Sequence, residues 1–237
     1  MRRYGATMHF NLYVFDLDGT LVDTAPDLAA SMNHALGVLG RPPVPVASVR
    51  DMVGHGARKL LEHGLAATGE VSEALVEQGV KPFLEHYRAN IAVGSKPFDG
   101  VERALDRLAG QGARLAICTN KPEYLARSLL SALGWEMRFV ALLGADSQAY
   151  RKPDPRHLHD TIAAAGGGNA LFIGDSKTDA DTALAANIPL MLVRFGYSTE
   201  PVENLGADAL LDHYDDFDAA VLHIQSRLTA GGAGSHP

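Results

Sequence analysis

The chain has 237 residues, 46% of them hydrophobic, and a formal net charge of −7. That length allows one large α/β domain, or one domain carrying an insert, with ample apolar material for a core. The negative balance argues against broad nucleic-acid binding and against adhesion to anionic membranes, and no stretch is long and apolar enough to span a bilayer.

One cysteine, Cys118, lies inside an apolar run, forms no internal disulfide and reads as a buried thiol. The opening residues Met1 to Met8 carry positive charge without the apolar centre of a signal peptide, and Met8 is an alternative start. A cytoplasmic enzyme, monomer or homodimer, is the expectation.

The first predicted strand is Leu12-Tyr13-Val14-Phe15, an apolar run that ends in Asp16-Leu17-Asp18-Gly19-Thr20. Open α/β sheets place their ligands at the C-terminal ends of strands. Two carboxylates spaced by two residues point to one side if the strand stays extended. Crowding them is costly unless a cation, a proton or a reaction needs them.

Helical spacing follows. Thr24 suits an N-cap, Pro26 the first turn and Asp27 the positive end of the helix dipole. Leu28, Met32, Ala35, Leu36 and Leu39 then form a stripe that Gly40 and Pro42-Pro43 end. Ala57, Leu60, Leu61 and Leu65 make a second stripe, and Val76, Val80, Phe83, Leu84, Tyr87 and Ile91 a third. No strand signal intervenes before about Ser95, so residues 24–94 read as an inserted helical domain.

Strand and helix alternate thereafter. A helix carries Val101, Ala104, Leu105 and Leu108, and the strand Ala113–Cys118 ends in Thr119-Asn120-Lys121. A helix spans Pro122 to Leu133, a short strand lies near Phe139–Leu143, and another helix follows Pro155. The strand Ala170–Ile173 ends in Gly174-Asp175, and strands at Pro189–Val193 and Ala209–Leu211 complete the series. This pattern predicts an α/β fold, a doubly wound, mostly parallel sheet core (8–23 and 95–229) with the helical insert, and an irregular Gly- and Ser-rich tail at 230–237.

Four strand-end clusters can converge at one sheet edge: Asp16-Leu17-Asp18, Thr119-Asn120, Lys152-Pro153, and Asp175 with Asp179. Carboxylates and water make an oxygen-rich Mg²⁺ site, and a hydroxyl and a lysine can hold phosphate oxygens. A carboxylate beside a phosphate and Mg²⁺ can act as a nucleophile.

The runs Asp16-Leu17-Asp18-Gly19-Thr20-Leu21-Val22-Asp23, Cys118-Thr119-Asn120-Lys121, Arg151-Lys152-Pro153-Asp154-Pro155 and Gly174-Asp175-Ser176-Lys177-Thr178-Asp179 occur in that order. In them the chain resembles the haloacid dehalogenase superfamily of aspartate-nucleophile phosphotransferases, in its phosphoglycolate phosphatase-like branch. The resemblance spans about Phe10 to Leu228 and makes the helical insert a cap domain. It implies Asp16 as nucleophile and Mg²⁺ ligand. Asp18 would ligate the metal through its carbonyl, protonate the leaving oxygen and later activate water. Thr119 and Asn120 would hold the phosphoryl group and Lys152 would stabilise the nucleophile and the phosphate. Asp175 would ligate Mg²⁺, with Asp179 as a ligand or just behind one. The substrate would be a small phosphorylated metabolite, 2-phosphoglycolate first.

Other residues admit plainer readings. Asp23 reads as a solvated loop acid and Asp181 as a surface residue. Thr119 can be a turn hydroxyl, a ligand or both. Gly54-His55-Gly56 is similar to the Gly-x-Gly loop of phosphatase caps, and equally to an ordinary helix-entry turn. Arg58, just beyond, could pair with a substrate carboxylate or be a solvated helix residue. His34, His63, His86, His157, His159, His213 and His223 lack metal-ligand spacing and fall to surface or core.

Pyrophosphatase, sugar-phosphate phosphatase and β-phosphoglucomutase share all four runs and remain rivals. A dehalogenase is disfavoured because Asp18 is present, and a phosphonatase because the insert offers only Lys59 and Lys81 for a Schiff base. A receiver-like signalling protein uses similar groups but is shorter and lacks a helical insert.

Overall fold

The computed structural model describes residues 9–232 apart from 51 and 55. The first strand, β1 (Leu12–Phe15), is buried along its whole length. After it come two-residue strands β2 (Val22–Asp23) and β3 (Lys96–Pro97), then β4 (Arg114–Cys118), β5 (Ala141–Leu143), β6 (Ala170–Gly174), β7 (Leu190–Val193) and β8 (Ala209–Leu211). Six of these form one sheet in the order β5-β4-β1-β6-β7-β8, with every neighbouring pair parallel. Continuous apolar runs suit a parallel sheet covered on both faces.

Side chains alternate across β1. Leu12 and Val14 pack with Leu158 of α7 (Pro155–Ala164) and Ala180 and Ala183 of α8 (Lys177–Ala186). Tyr13 and Phe15 join the other core. That core takes in α5 (Val101–Gly110), α6 (Glu123–Ala132) and α9 (Phe217–Gly232) through Leu105, Leu129 and Phe217. Each fully buried Leu or Phe contributes about 1.5–3 kcal/mol. α9 runs to Gly232, into the segment expected as an irregular tail, and 233–237 lie outside the described residues.

Phe15 stands opposite Ile117 of β4 and Ile173 of β6. That register brings the ends of the three central strands to one level. The chain winds from β1 through β4 to β5 on one side, and from β6 through β7 to β8 on the other. The crevice where a doubly wound sheet binds ligands therefore opens between β1 and β6.

Helices α1 (Ala25–Val38), α2 (Val46–Arg50), α3 (Ala57–Thr68) and α4 (Glu73–Ala89) lie between β2 and β3 and pack on one another, most extensively α1 on α4. Their stripes are those of the sequence: Leu28, Met32 and Leu36 meet Leu60, Leu61, Phe83 and Tyr87 in one buried cluster continuous with the sheet core. The short α2 had no periodic signal. The two connections to the sheet run side by side, β2 pairing antiparallel with β3 through Val22–Pro97 and Asp23–Lys96.

Two residues assigned to the α1 start behave differently from expectation. Thr24 occupies the N-cap position without a side-chain cap bond, because its hydroxyl donates to Asp18 Oδ1 at 2.6 Å. Asp27 is buried, and its carboxylate accepts from Gly94 N (2.8 Å), Ser95 N (2.8 Å) and Ser95 Oγ (2.6 Å). It ties the outgoing connection to the returning one rather than merely complementing a dipole. No helix among the described residues is long and apolar enough to cross a membrane.

Candidate active site

Asp16 follows β1 directly and is buried. Its Oδ1 accepts from Leu17 N at 2.7 Å and lies 3.0 Å from Lys152 Nζ. The Lys152 ammonium, itself buried, also donates to Asp179 Oδ1 at 2.6 Å. Asp179 Oδ2 accepts from Ser176 Oγ (2.7 Å), Ser176 N (3.1 Å) and Asp175 N (3.2 Å), closing a capping box at the start of α8. Asp175, one residue beyond β6, accepts from Thr20 Oγ1 at 3.1 Å and from Tyr197 N at 2.6 Å. Gly19 is required here: its φ is +79°, and a Cβ would run into Asp175 Oδ2 and the Tyr197 ring.

Carboxylate oxygens of Asp16, Asp175 and Asp179 lie within 4.8 Å of one another. Burial pushes the Asp16 carboxyl up to about 6 against the pull of Lys152, and Asp179 and Asp18 add to the rise. Asp175 is raised well above the ordinary carboxylate range by burial, then by Asp179 and Asp16. Burial alone would lower Lys152, but Asp16 and Asp179 outweigh it and the net shift is upward, so the ammonium stays charged. One ammonium among three buried acids leaves negative charge uncompensated. The oxygen-only donor set fits a small hard divalent cation.

Thr119 follows β4 and is buried, its Oγ1 accepting from Lys121 N at 3.1 Å. Asn120 donates through Nδ2 to the Lys152 carbonyl at 3.0 Å, while its buried Oδ1 has no partner among the described residues. Asp16, Asp18, Thr119, Asn120, Lys152 and Asp175 line one cavity of about 220 Å³. Val53 and Gly54 of the insert face the same space.

Comparison with known proteins identifies the family. Residues 10–187 match the family of haloacid dehalogenase-like hydrolases. The chain is 46% identical over 220 residues to a phosphoglycolate phosphatase of Mesorhizobium japonicum, covering 92% of this chain and 96% of that one. It is 45% identical over 227 residues to a phosphoglycolate phosphatase of Caulobacter vibrioides, covering 93% and 94%. The chain belongs to the haloacid dehalogenase-like hydrolases. Among solved structures, a predicted phosphoglycolate phosphatase from Haemophilus somnus superposes with a TM-score of 0.83 at 30% identity, covering 89% of this chain and 97% of that one.

In this haloacid dehalogenase-like hydrolase some sequence expectations need correction. Arg58 lines none of the described cavities. It pairs with Glu77 (3.0 Å) and with Glu73 on the outer side of α3 and α4. Ala57 and Leu60 take the inward face of α3, which turns Arg58 away towards two acids of α4. Asp23 is no free loop acid: it accepts from Tyr197 Oη at 2.6 Å and pairs with Arg50 of α2. Gly54 and Gly56 border the space beneath the insert, and His55 lies outside the described residues. Asp181 pairs with Lys177 at 2.7 Å on the rim.

Sequence reasoning passed over the roles of Lys121 and Tyr197, and left His157 between surface and core. Lys121 is buried, with Nζ 2.9 Å from Asp18 Oδ1 and 2.6 Å from Tyr87 Oη of α4. Tyr197 joins Asp175 to the connection, its hydroxyl also accepting from Ala25 N at 3.0 Å. His157 is buried behind Thr119, Nε2 on the Gly144 carbonyl (3.1 Å) and Nδ1 by Cys118 Sγ (3.6 Å). Burial, with help from Lys152, lowers His157 to about 4, and burial raises the Cys118 thiol to about 12. Both are neutral, so this pair is structural. The one available signal was Lys121 standing beside Thr119 and Asn120 at a strand end.

Proposed function

We propose that this chain is an Mg²⁺-dependent phosphomonoester hydrolase that works through an aspartyl-phosphate, with 2-phosphoglycolate as its substrate. One observation carries the reading. Asp16, Lys152 and Asp175, from loops far apart in sequence, meet in a single cavity that Asp18 and Thr119 also line. The relatives named phosphoglycolate phosphatase support the substrate, and their match covers almost the whole chain.

Asp16, Asp175 and the carbonyl of Asp18 would hold the cation. Asp179, whose two oxygens already serve Lys152 and Ser176, positions that shell and keeps Lys152 aimed at Asp16. Bound there, Mg²⁺ supplies charge compensation for the phosphoryl oxygens and the carboxylates. Lys152, the Thr119 hydroxyl and Asn120 bind and orient the phosphoryl group. An Asp16 carboxylate oxygen attacks phosphorus as the bond to the ester oxygen breaks, and Asp18 gives that oxygen its proton. Asp18 then takes a proton from water, whose oxygen attacks phosphorus and releases phosphate and the Asp16 carboxylate. Residues 24–94 act as the cap that excludes bulk water, with Gly54 and Gly56 approaching the substrate. The compartment this chemistry suits is the cytoplasm.

The test is phosphate release from a panel of phosphate esters, sugar phosphates and pyrophosphate in Mg²⁺. Phosphoglycolate should give the highest kcat/KM, and preference for a sugar phosphate or pyrophosphate would overturn the substrate.

A further inference from the structure

Beside the carboxylate cavity lies a smaller one of about 70 Å³, and both are lined by Asp18, Gly54, Asn120 and Lys121. The walls of the smaller chamber are apolar: Leu28, Leu60, Phe83 and Leu84 from the insert, Pro122 and Leu125 from the sheet domain. Among the described residues lining it, Lys121 is the one cation and Asp18 the one acid. It lies on the Asp18 side of the site, where the bond to the departing oxygen breaks.

Lys121 is an unusual residue to bury. An ammonium has three N–H donors. Two are used, on Asp18 Oδ1 and Tyr87 Oη, and the third has no partner among the described residues. Tyr87 spends its oxygen lone pair on Lys121, and its own O–H has no acceptor among those residues. Burial holds that phenol at about 12, so it is a donor at neutral pH. Two unused donors thus border one small apolar chamber, one on the sheet domain and one on the insert. Buried polar groups in this position ask for an acceptor.

Resting on the phosphomonoesterase reading above, we infer that this chamber takes the leaving group, and that Lys121 and Tyr87 select a short one ending in a carboxylate. A carboxylate has two oxygens, one for each unused donor, and the apolar walls leave room for only a few carbons. In a two-carbon hydroxy acid the carboxylate sits one carbon from the ester carbon. With its ester oxygen on Asp18, that carboxylate falls beside Lys121, which is already 2.9 Å from Asp18. A neutral leaving group of the same size leaves both donors desolvated and unpaired, and is penalised for it. This role, expected of Arg58 on the insert, thus falls to a lysine of the sheet domain. Lys121 and Tyr87 are specificity-determining residues, and neither forms or breaks a bond.

The experiment compares kcat/KM for phosphoglycolate with kcat/KM for ethyl phosphate, which has the same carbon count and no carboxylate. The ratio cancels general damage to the phosphoryl site. Lys121→Met should lower it by about 10–100-fold, the scale of a lost charge-assisted hydrogen bond. Tyr87→Phe removes a single oxygen, keeps the ring packing and should lower it by roughly 3–10-fold. An unchanged ratio in Tyr87→Phe and in folded Lys121→Met overturns the inference and leaves the phosphatase standing. Wild-type protein that hydrolyses neither ester overturns the phosphatase reading, and the inference with it.

Discussion

The amide of Tyr197 donates to Asp175 Oδ2 at 2.6 Å. Its phenol, on the same residue, accepts from Ala25 N and donates to Asp23 Oδ1. One residue, through its backbone amide and its phenol, therefore links the acid cluster to the connection that leads into the helical insert. Arg50 of α2 reaches the same place, paired with Asp23 and 5.7 Å above the Tyr197 ring. The insert and the acid cluster are thus mechanically joined rather than merely adjacent.

Removing the nucleophile should stop turnover without unfolding the protein. Asp16→Asn is expected to lose roughly 10⁴-fold or more in kcat, the scale on which covalent catalysts lose activity without their nucleophile. Asp18→Asn should lose roughly 10²–10⁴-fold with alkyl phosphates, and less in the first step with p-nitrophenyl phosphate, whose leaving group needs no proton. Single-turnover kinetics with both substrates checks this. Equal first-step losses would count against Asp18 as the acid.

Metal dependence has a direction in pH. Without metal, burial holds Asp16 near 6 and raises Asp175 well above the ordinary carboxylate range, so protons compete where a cation would bind. Mg²⁺ must displace them, and its affinity should rise as pH increases through about 6. Chelator-treated protein should unfold at a lower temperature, with stability returning on Mg²⁺ addition by about 2.7 kcal/mol at a hundredfold excess over Kd. Calorimetric titration at pH 5.5 and 7.5 reads the affinity. Equal binding at both would refute the proton competition.

His157 should make stability fall in mild acid. Its folded value of about 4 lies below the 6.5 of the unfolded chain, so only the unfolded state takes up a proton between them. The contribution is intact above 6.5 and is lost as pH drops towards 4, for about 2–3 kcal/mol in all. The raised Asp16 acts oppositely, because its folded form binds the proton first. The difference between wild type and His157→Gln isolates the histidine. Urea unfolding of metal-free protein from pH 7 to 4.5 should show a flatter profile for the variant.

Asp27→Ala should destabilise the protein by about 2–4 kcal/mol, because it deprives Gly94 N, Ser95 N and Ser95 Oγ of a shared charged acceptor. Asp27→Asn, which keeps an acceptor oxygen, should cost less. Denaturant midpoints for the two variants give the comparison, and equal losses would mean that charge and acceptor count are irrelevant there.

The sheet was legible because its strands are apolar runs buried on both faces, and three of the four inserted helices followed from the helical spacing of their apolar stripes, the short α2 having none. Leu12–Phe15 and Ala170–Ile173 needed no partner to be recognised. Elements defined only by pairing were not legible. β2 and β3 are two residues each, and Val22–Pro97 has no local signature. The carboxylates and Thr119 stood out because charge and hydroxyl groups are rare at the ends of apolar strands, whereas Lys152, nine residues past β5, was marked by the run Arg151-Lys152-Pro153-Asp154-Pro155. Lys121, Tyr87 and Tyr197 act through contacts between distant segments, which spacing does not encode. Arg58 misled because it falls on the face of α3 opposite Ala57 and Leu60, where the acids of α4 claim it.

The central position of β1 governs how the protein can be made. β1 leaves the ribosome before both of its partners, β4 from residue 114 and β6 from residue 170. Until β4 has emerged the segment bearing Asp16 has no lateral partner, until β6 has emerged it has only one, and such long-range pairings form slowly. No N-terminal fragment stopping short of Asp175 can assemble the acid cluster, so truncated translation products should lack activity altogether instead of retaining part of it.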